Sequence, residues 1–111
     1  MAHKFPLSLH AGCVQPGWID YNQHMNIAYY VVAFDGANDA FFRYVGIDED
    51  YRVCGGFTTY ALDLRLNYLR ELKVNAQYTI TTQLLDFDHK RLHFFHRMYH
   101  ATDEYLAATH E

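Results

Sequence analysis

The 111 residues predict an α+β domain, and two changes of period along the chain carry that prediction. Between residues 27 and 45 the apolar positions recur every three or four, which is helical spacing. From residue 57 onward they alternate, which is strand spacing. Composition adds a third observation. Half of the residues are hydrophobic, with ten Tyr and eight Phe, enough for one core in a chain of this length. Residues 1–111 therefore read as one domain, without internal repeat, low-complexity tract or linker.

The elements follow in order. LSLHAGCVQ, residues 7–15, sets Leu7, Leu9, Ala11 and Cys13 on one side, as a strand does, and Pro16-Gly17 ends it. After the polar stretch DYNQHMN, Asn26 suits the N-cap of a helix with a stripe at Tyr30, Phe34, Ala37, Phe41 and Tyr44 or Val45. Gly46 is its natural stop. Because this helix is aromatic on more than one side, it is expected to be surrounded rather than laid on a surface. In FTTYALDLRLNYL, residues 57–69, Tyr60, Leu62, Leu64, Leu66 and Tyr68 alternate with smaller or polar residues, the clearest strand pattern in the chain. AQYTITTQLLD sets Tyr78, Ile80, Thr82 and Leu84 on one face. FDHK is a turn, RLHFFHRMYH a third long strand, and Thr102-Asp103-Glu104 a turn into YLAATH, a fourth. A sheet of this kind must curl round the helix to bury its aromatic flanks.

Charge and composition exclude several functions. The net charge is −4, and no run of Lys or Arg exceeds two neighbours, which argues against nucleic acid or an anionic membrane as partner. No apolar run has the length of a membrane span, and MAHKFPLS does not read as a signal peptide. Cys13 and Cys54 lack CxxC spacing, so free, packed thiols in a reducing cytoplasm are expected.

DYNQHMN is the segment that carries chemistry. If it is extended, Asp20, Asn22 and His24 share a face just before a helix N-terminus. The first helical amides lack intrahelical partners and suit an oxygen that becomes negative. A carboxylate, an amide and an imidazole beside such a position are the parts acyl hydrolysis needs. His24 then activates water, Asp20 orients it, and Asn22 holds the water or the carbonyl. The same residues also suit a polar loop that caps a helix, and composition does not choose between the two.

The order strand, DxNxHxN, central helix and antiparallel meander resembles the hotdog-fold acyl-CoA thioesterases of the hydroxybenzoyl-CoA thioesterase-like superfamily. The resemblance implies a hotdog fold, with a long central helix wrapped by a curled antiparallel sheet, and thioester hydrolysis by Asp20, Asn22 and His24. In hydroxybenzoyl-CoA thioesterase relatives the position matching Asn22 is an aspartate that attacks or activates water. An amide does neither, which moves the base to His24 or Asp20. QLLDFDHKRLHFFHRMYHATDEYLAATHE, with WIDYNQHMNIAYY, is most similar to the thioesterases of carnitine breakdown. These hydrolyse betainyl-CoA, and a related domain occurs fused to carnitine dehydrogenase. Members continue past the strand ending THE, so a truncated C-terminus is expected. The Gly-Asp common at one turn is replaced by Asn75-Ala76, a variant turn.

A betainyl substrate is a permanent cation, and aromatic faces commonly hold such groups. Trp18, Tyr29 and Tyr30 stand nearest the site in sequence, with Asn26, and Glu71 in YLREL is a strand-end charge able to reach it. Asp35 and Asp39 are helix polar-face residues or the lining of a cationic acyl pocket. His93, His96 and His100 do not share one strand face, so no metal is expected, nor any cofactor. Neither cysteine shows a signal for a nucleophile. The alternatives are a fatty or aromatic acyl-CoA thioesterase, an enoyl-CoA hydratase, and a non-catalytic acyl-CoA-binding module. Hydratases of the superfamily resemble D-x-N-P-x-H, and DYNQH lacks both the proline and the added residue. A lone helix on one sheet leaves an edge and an aromatic face open, so a homodimer or a dimer of dimers is expected.

Overall fold

Five strands form one antiparallel sheet in the order β1-β3-β4-β5-β2 in a computed structural model that describes residues 6–56 and 58–111. They are β1 (Leu7–Cys13), β2 (Leu66–Tyr68), β3 (Gln77–Phe87), β4 (Leu92–His100) and β5 (Leu106–His110). β3, β4 and β5 are the expected meander, while β1 and β2 take the two edges. The long helix α1 (Ile27–Tyr44) lies across one face and meets both edges. His10 of β1 stands against Gly36, and Tyr30 meets Tyr68 of β2 edge to face. That reach across the sheet is the wrapped helix of the hotdog arrangement.

The core is what the helical stripe predicts. Tyr30, Ala33, Phe34 and Ala37 share one core with Ile80, Met98, Ala107 and Ala108 of the sheet, while Ala40 and Phe41 are also buried and Phe41 packs on Phe94 of β4. Within the chain, however, α1 is covered on one side only. Ile27, Val31 and Val32 on the other side are exposed, so the expectation of a helix enclosed by its own chain is corrected.

Three further expectations change. The strand predicted over 57–69 is reduced to Leu66–Tyr68, and Phe57 lies outside the described residues. Pairing begins where Arg65 exchanges backbone hydrogen bonds with Glu111; before it, Tyr60 (80 % exposed) and Leu62 (71 %) have no strand beside them among the described residues. Alternation marks a face that wants cover, and none of the described residues forms a strand next to that edge. A short helix, α2 (Glu49–Gly55), capped by Asp48, precedes this segment and has no counterpart in the sequence reading. It leaves Cys54 exposed rather than packed, whereas Cys13 is half-buried. In β1, finally, the register shifts between Ser8 and His10. The bulge breaks the single face expected for Leu7, Leu9, Ala11 and Cys13, and turns His10 and Gly12 inward.

The helix–sheet interface contains polar groups as well. His96 is fully enclosed; Thr82 Oγ1 stands 2.9 Å from its Nδ1 and Asn38 Oδ1 stands 2.7 Å from its Nε2. Asn38 Oδ1 only accepts, so the ring is neutral with its proton on Nε2, and Thr82 donates to Nδ1. Burial lowers its pKa from 6.5 to about 3, with His110 and His10 contributing. Phe34 packs against both His96 and His110.

Candidate active site

DYNQHMN is a tight loop, not an extended segment. An isolated bridge joins Ile19 to Met25, Asp20 N–H donates to His24 O, and Gln23 N–H donates to Asp20 O. Gln23 takes a positive φ of 66° to close it. Asp20, Asn22 and His24 therefore do not share a strand face. The Asp20 carboxylate serves its own loop, accepting the Asn22 N–H at 2.9 Å. The Asn22 side chain is exposed and has no hydrogen-bond partner among the described residues. Asn26 is the expected N-cap: its Oδ1 accepts the Ala28 N–H at 2.9 Å, and its own N–H donates to Trp18 O. The loop is thereby tied to the first turn of α1, where the Ile27 N–H has no intrahelical acceptor.

The carboxylate that meets His24 is Glu71, not Asp20. Glu71 Oε2 contacts His24 Nδ1, with both side chains about half exposed, at 41 % and 54 %. A carboxylate on Nδ1 selects the tautomer with its proton there and leaves Nε2 as the basic nitrogen. Residues 69–73 carry no regular structure, so Glu71 is held by side chains. Tyr105 donates to the Glu71 carbonyl at 2.6 Å, and the Leu72 N–H donates to the Tyr30 hydroxyl at 3.4 Å.

The aromatic candidates divide. Trp18 and Tyr29 are half-buried and stacked, with centroids 5.7 Å apart. Tyr30 is 5 % exposed and belongs to the core; burial raises its phenol pKa above 10. Tyr68 packs edge-on against Tyr30 at 5.1 Å and donates to Ile27 O at 3.2 Å. Neither Tyr68 nor Tyr105 is among the residues that the sequence nominates for the site. Both lie in strand-like runs; the fold sets Tyr105 against the Glu71 carbonyl and Tyr68 against Tyr30. Asp35 and Asp39 lie on the exposed side of α1. The three β4 histidines take different partners. His93 meets Glu111 at 2.9 Å, His96 is the buried ring described above, and His100 accepts the Asp103 N–H and stacks on Tyr105. Among the described residues no group of three or more His, Cys, Asp or Glu is placed to hold a metal ion. No helix among them is long and apolar enough to cross a membrane.

A helix laid in an antiparallel sheet, with an imidazole–carboxylate pair at its head, defines a class: the chain belongs to the Thioesterase-like superfamily, whose model matches residues 14–111. Among curated proteins it is similar to the betainyl-CoA thioesterase of Pseudomonas aeruginosa, at 41 % identity over 78 % of this chain and 54 % of that protein. It is 37 % identical, over 93 % of its length, to the L-carnitine dehydrogenase/betainyl-CoA thioesterase of Agrobacterium fabrum, of which it covers 21 %. The chain thus spans about half the length of the first relative and a smaller part of the second. Among solved structures it resembles a Staphylococcus aureus protein in complex with CoA, with a TM-score of 0.88 and 31 % identity, over 96 % of this chain and 66 % of that one.

Proposed function

We propose that the protein hydrolyses an acyl-CoA thioester to the free acid and CoA, and that betainyl-CoA is its substrate. The observation that carries the reading is the His24–Glu71 pair at the head of α1. With the Nδ1 proton directed to Glu71, His24 Nε2 takes a proton from water as the water oxygen adds to the thioester carbonyl. The carbonyl oxygen becomes negative, and the N-terminal amide of α1 left free at Ile27 suits it. Collapse breaks the carbon–sulfur bond, and the proton on His24 passes to the departing CoA thiolate. Asn22, exposed in the same loop, holds the water or the carbonyl. Asp20 keeps the loop closed, and Asn26 fixes it to the helix. The similarity to two betainyl-CoA thioesterases supports the substrate. The stacked Trp18 and Tyr29, and the half-exposed Tyr68, offer aromatic faces for its trimethylammonium group. Tyr30, in the core, contributes through Tyr68 rather than by direct contact.

A homodimer, or a dimer of such dimers, belongs to the same reading. The uncovered side of α1 and the unpaired apolar edge at Tyr60, Leu62 and Leu64 suit a second copy of this chain.

Thiol release from betainyl-CoA, its neutral tert-butyl isostere and a medium-chain acyl-CoA tests the function. Each ring over the cation contributes on the order of 0.5–2 kcal/mol, so the isostere should lose several-fold to a few hundredfold in kcat/KM. Equal or faster cleavage of both neutral esters would sink the betainyl assignment and leave a fatty or aromatic acyl-CoA thioesterase. Binding of all three without thiol release would favour an acyl-CoA-binding module.

A further inference from the structure

The peptide group that joins Glu71 to Leu72 stands outside the sheet ladder, yet tyrosine hydroxyls hold both of its polar atoms. Tyr105 grips the carbonyl and Tyr30 the N–H. We infer that Tyr30 and Tyr105 are positioning residues that clamp this peptide plane and so hold the Glu71 carboxylate against His24. The inference rests on the proposed hydrolase reading.

Each half of the clamp is itself fixed. The Tyr105 ring lies under the Arg70 guanidinium at 4.0 Å and stacks on His100 with centroids 4.9 Å apart. Tyr30 is buried and braced by Tyr68, so its hydroxyl has little freedom to swing. The two tyrosines also come from different layers. Tyr30 belongs to α1, which carries the end of the His24 loop, and Tyr105 leads into β5. Upstream, the Leu69 and Arg70 N–H groups both converge on Ala107 O, and Leu72 is fully buried. The segment is therefore anchored on both sides of Glu71, whose side chain is the part left half exposed. Placement of this kind governs rate steeply, since a shift of about 1 Å in a catalytic constellation can cost on the order of a hundredfold.

Tyr105→Phe and Tyr30→Phe each remove one hydroxyl and keep the ring. Measured on betainyl-CoA, or on the acyl-CoA that wild type cleaves fastest, each should lower kcat about tenfold and leave KM within about twofold. In a Glu71→Gln background, Tyr105→Phe should add less than about twofold, because the group it positions is already gone. A crystal structure of Tyr105→Phe should show the Glu71 carboxylate withdrawn from His24. Unchanged kcat in Tyr105→Phe, full additivity with Glu71→Gln, or a retained Glu71–His24 contact in that crystal structure would each overturn the clamp. Should Tyr30→Phe fail to fold, Tyr105→Phe decides alone. If wild type cleaves no CoA ester, the hydrolase reading falls, and the crystal structure still decides whether the two hydroxyls place Glu71.

Discussion

Acidification should destabilise the fold through His96, and its size follows from the surroundings of one ring. His96 is fully enclosed and bonded as a neutral imidazole between Thr82 and Asn38. His10 faces it from β1 and His110 from β5, and α1 brings Asp35 near His110 and Asp39 near His10. Burial holds its folded pKa at about 3 against 6.5 in an unfolded chain. The folded pKa is depressed, so the unfolded chain takes up a proton first as pH falls through 6.5. Stability is lost from there down to the folded value. At pH 5, about 1.5 units below the unfolded pKa, the loss is about 2 kcal/mol. A domain has only about 5–15 kcal/mol in all. The assay is urea unfolding at pH 7.5 and pH 5, at fixed protein concentration, of wild type and His96→Gln. The glutamine amide can accept from Thr82 and donate to Asn38 without titrating, and the difference between proteins cancels the remaining groups. Wild type should lose about 2 kcal/mol more than the variant over that interval. Equal losses in the two proteins would mean that His96 does not carry the acid sensitivity of the fold.

His24→Ala should lower kcat by about a hundredfold or more, the usual scale for a lost acid–base group, as read by thiol release. Asp20→Asn keeps an acceptor for the Asn22 N–H and should cost less than about tenfold. A loss as deep as that of His24→Ala would return Asp20 to the role of base. Asn22→Ala should lower kcat more than it raises KM, and a pure KM effect in steady-state kinetics would make it a binding residue instead. Val32→Glu combined with Leu62→Lys should give monomers by sedimentation at micromolar concentration, and an unchanged dimer would assign the interface elsewhere.

The sequence made the helix, its N-cap and the three-stranded meander legible because each depends on local pattern. The Tyr30–Phe41 stripe and the Tyr78–Ile80–Thr82 face needed only periodicity. What it concealed depends on partners distant along the chain. Alternation through Tyr60 and Leu62 reads as a strand, but a strand also needs a neighbour, and the described residues supply none there. The bulge in β1 moves His10 inward without a glycine or proline to announce it. At the site, DYNQHMN suggested the histidine and Glu71 read as a strand-end charge able to reach it, but nothing local marked Glu71 as the partner of His24. The carboxylate nearer in sequence, Asp20, is drawn to the Asn22 amide two residues on, as aspartates in turns commonly are. Tyr105 had no local sign, because its hydroxyl meets the Glu71 carbonyl 34 residues away along the chain, and Tyr68 read only as part of a strand.

Gly36 illustrates how one contact can invert a rule of protein engineering. Replacing a helical glycine by alanine ordinarily stabilises a helix by about 1 kcal/mol. Here a methyl group would come within 2.7 Å of His10 Nε2, so the imidazole would have to retreat from the half-buried place it fills. The two positions are therefore coupled: alanine at Gly36 asks the His10 ring to turn aside, which offsets part of the helical gain. A library that varies Gly36 alone would read the cost of moving His10 as a property of the helix, although it arises on the strand. Varied together with His10, the same position should accept alanine, and α1 would gain rigidity without touching the loop that carries His24.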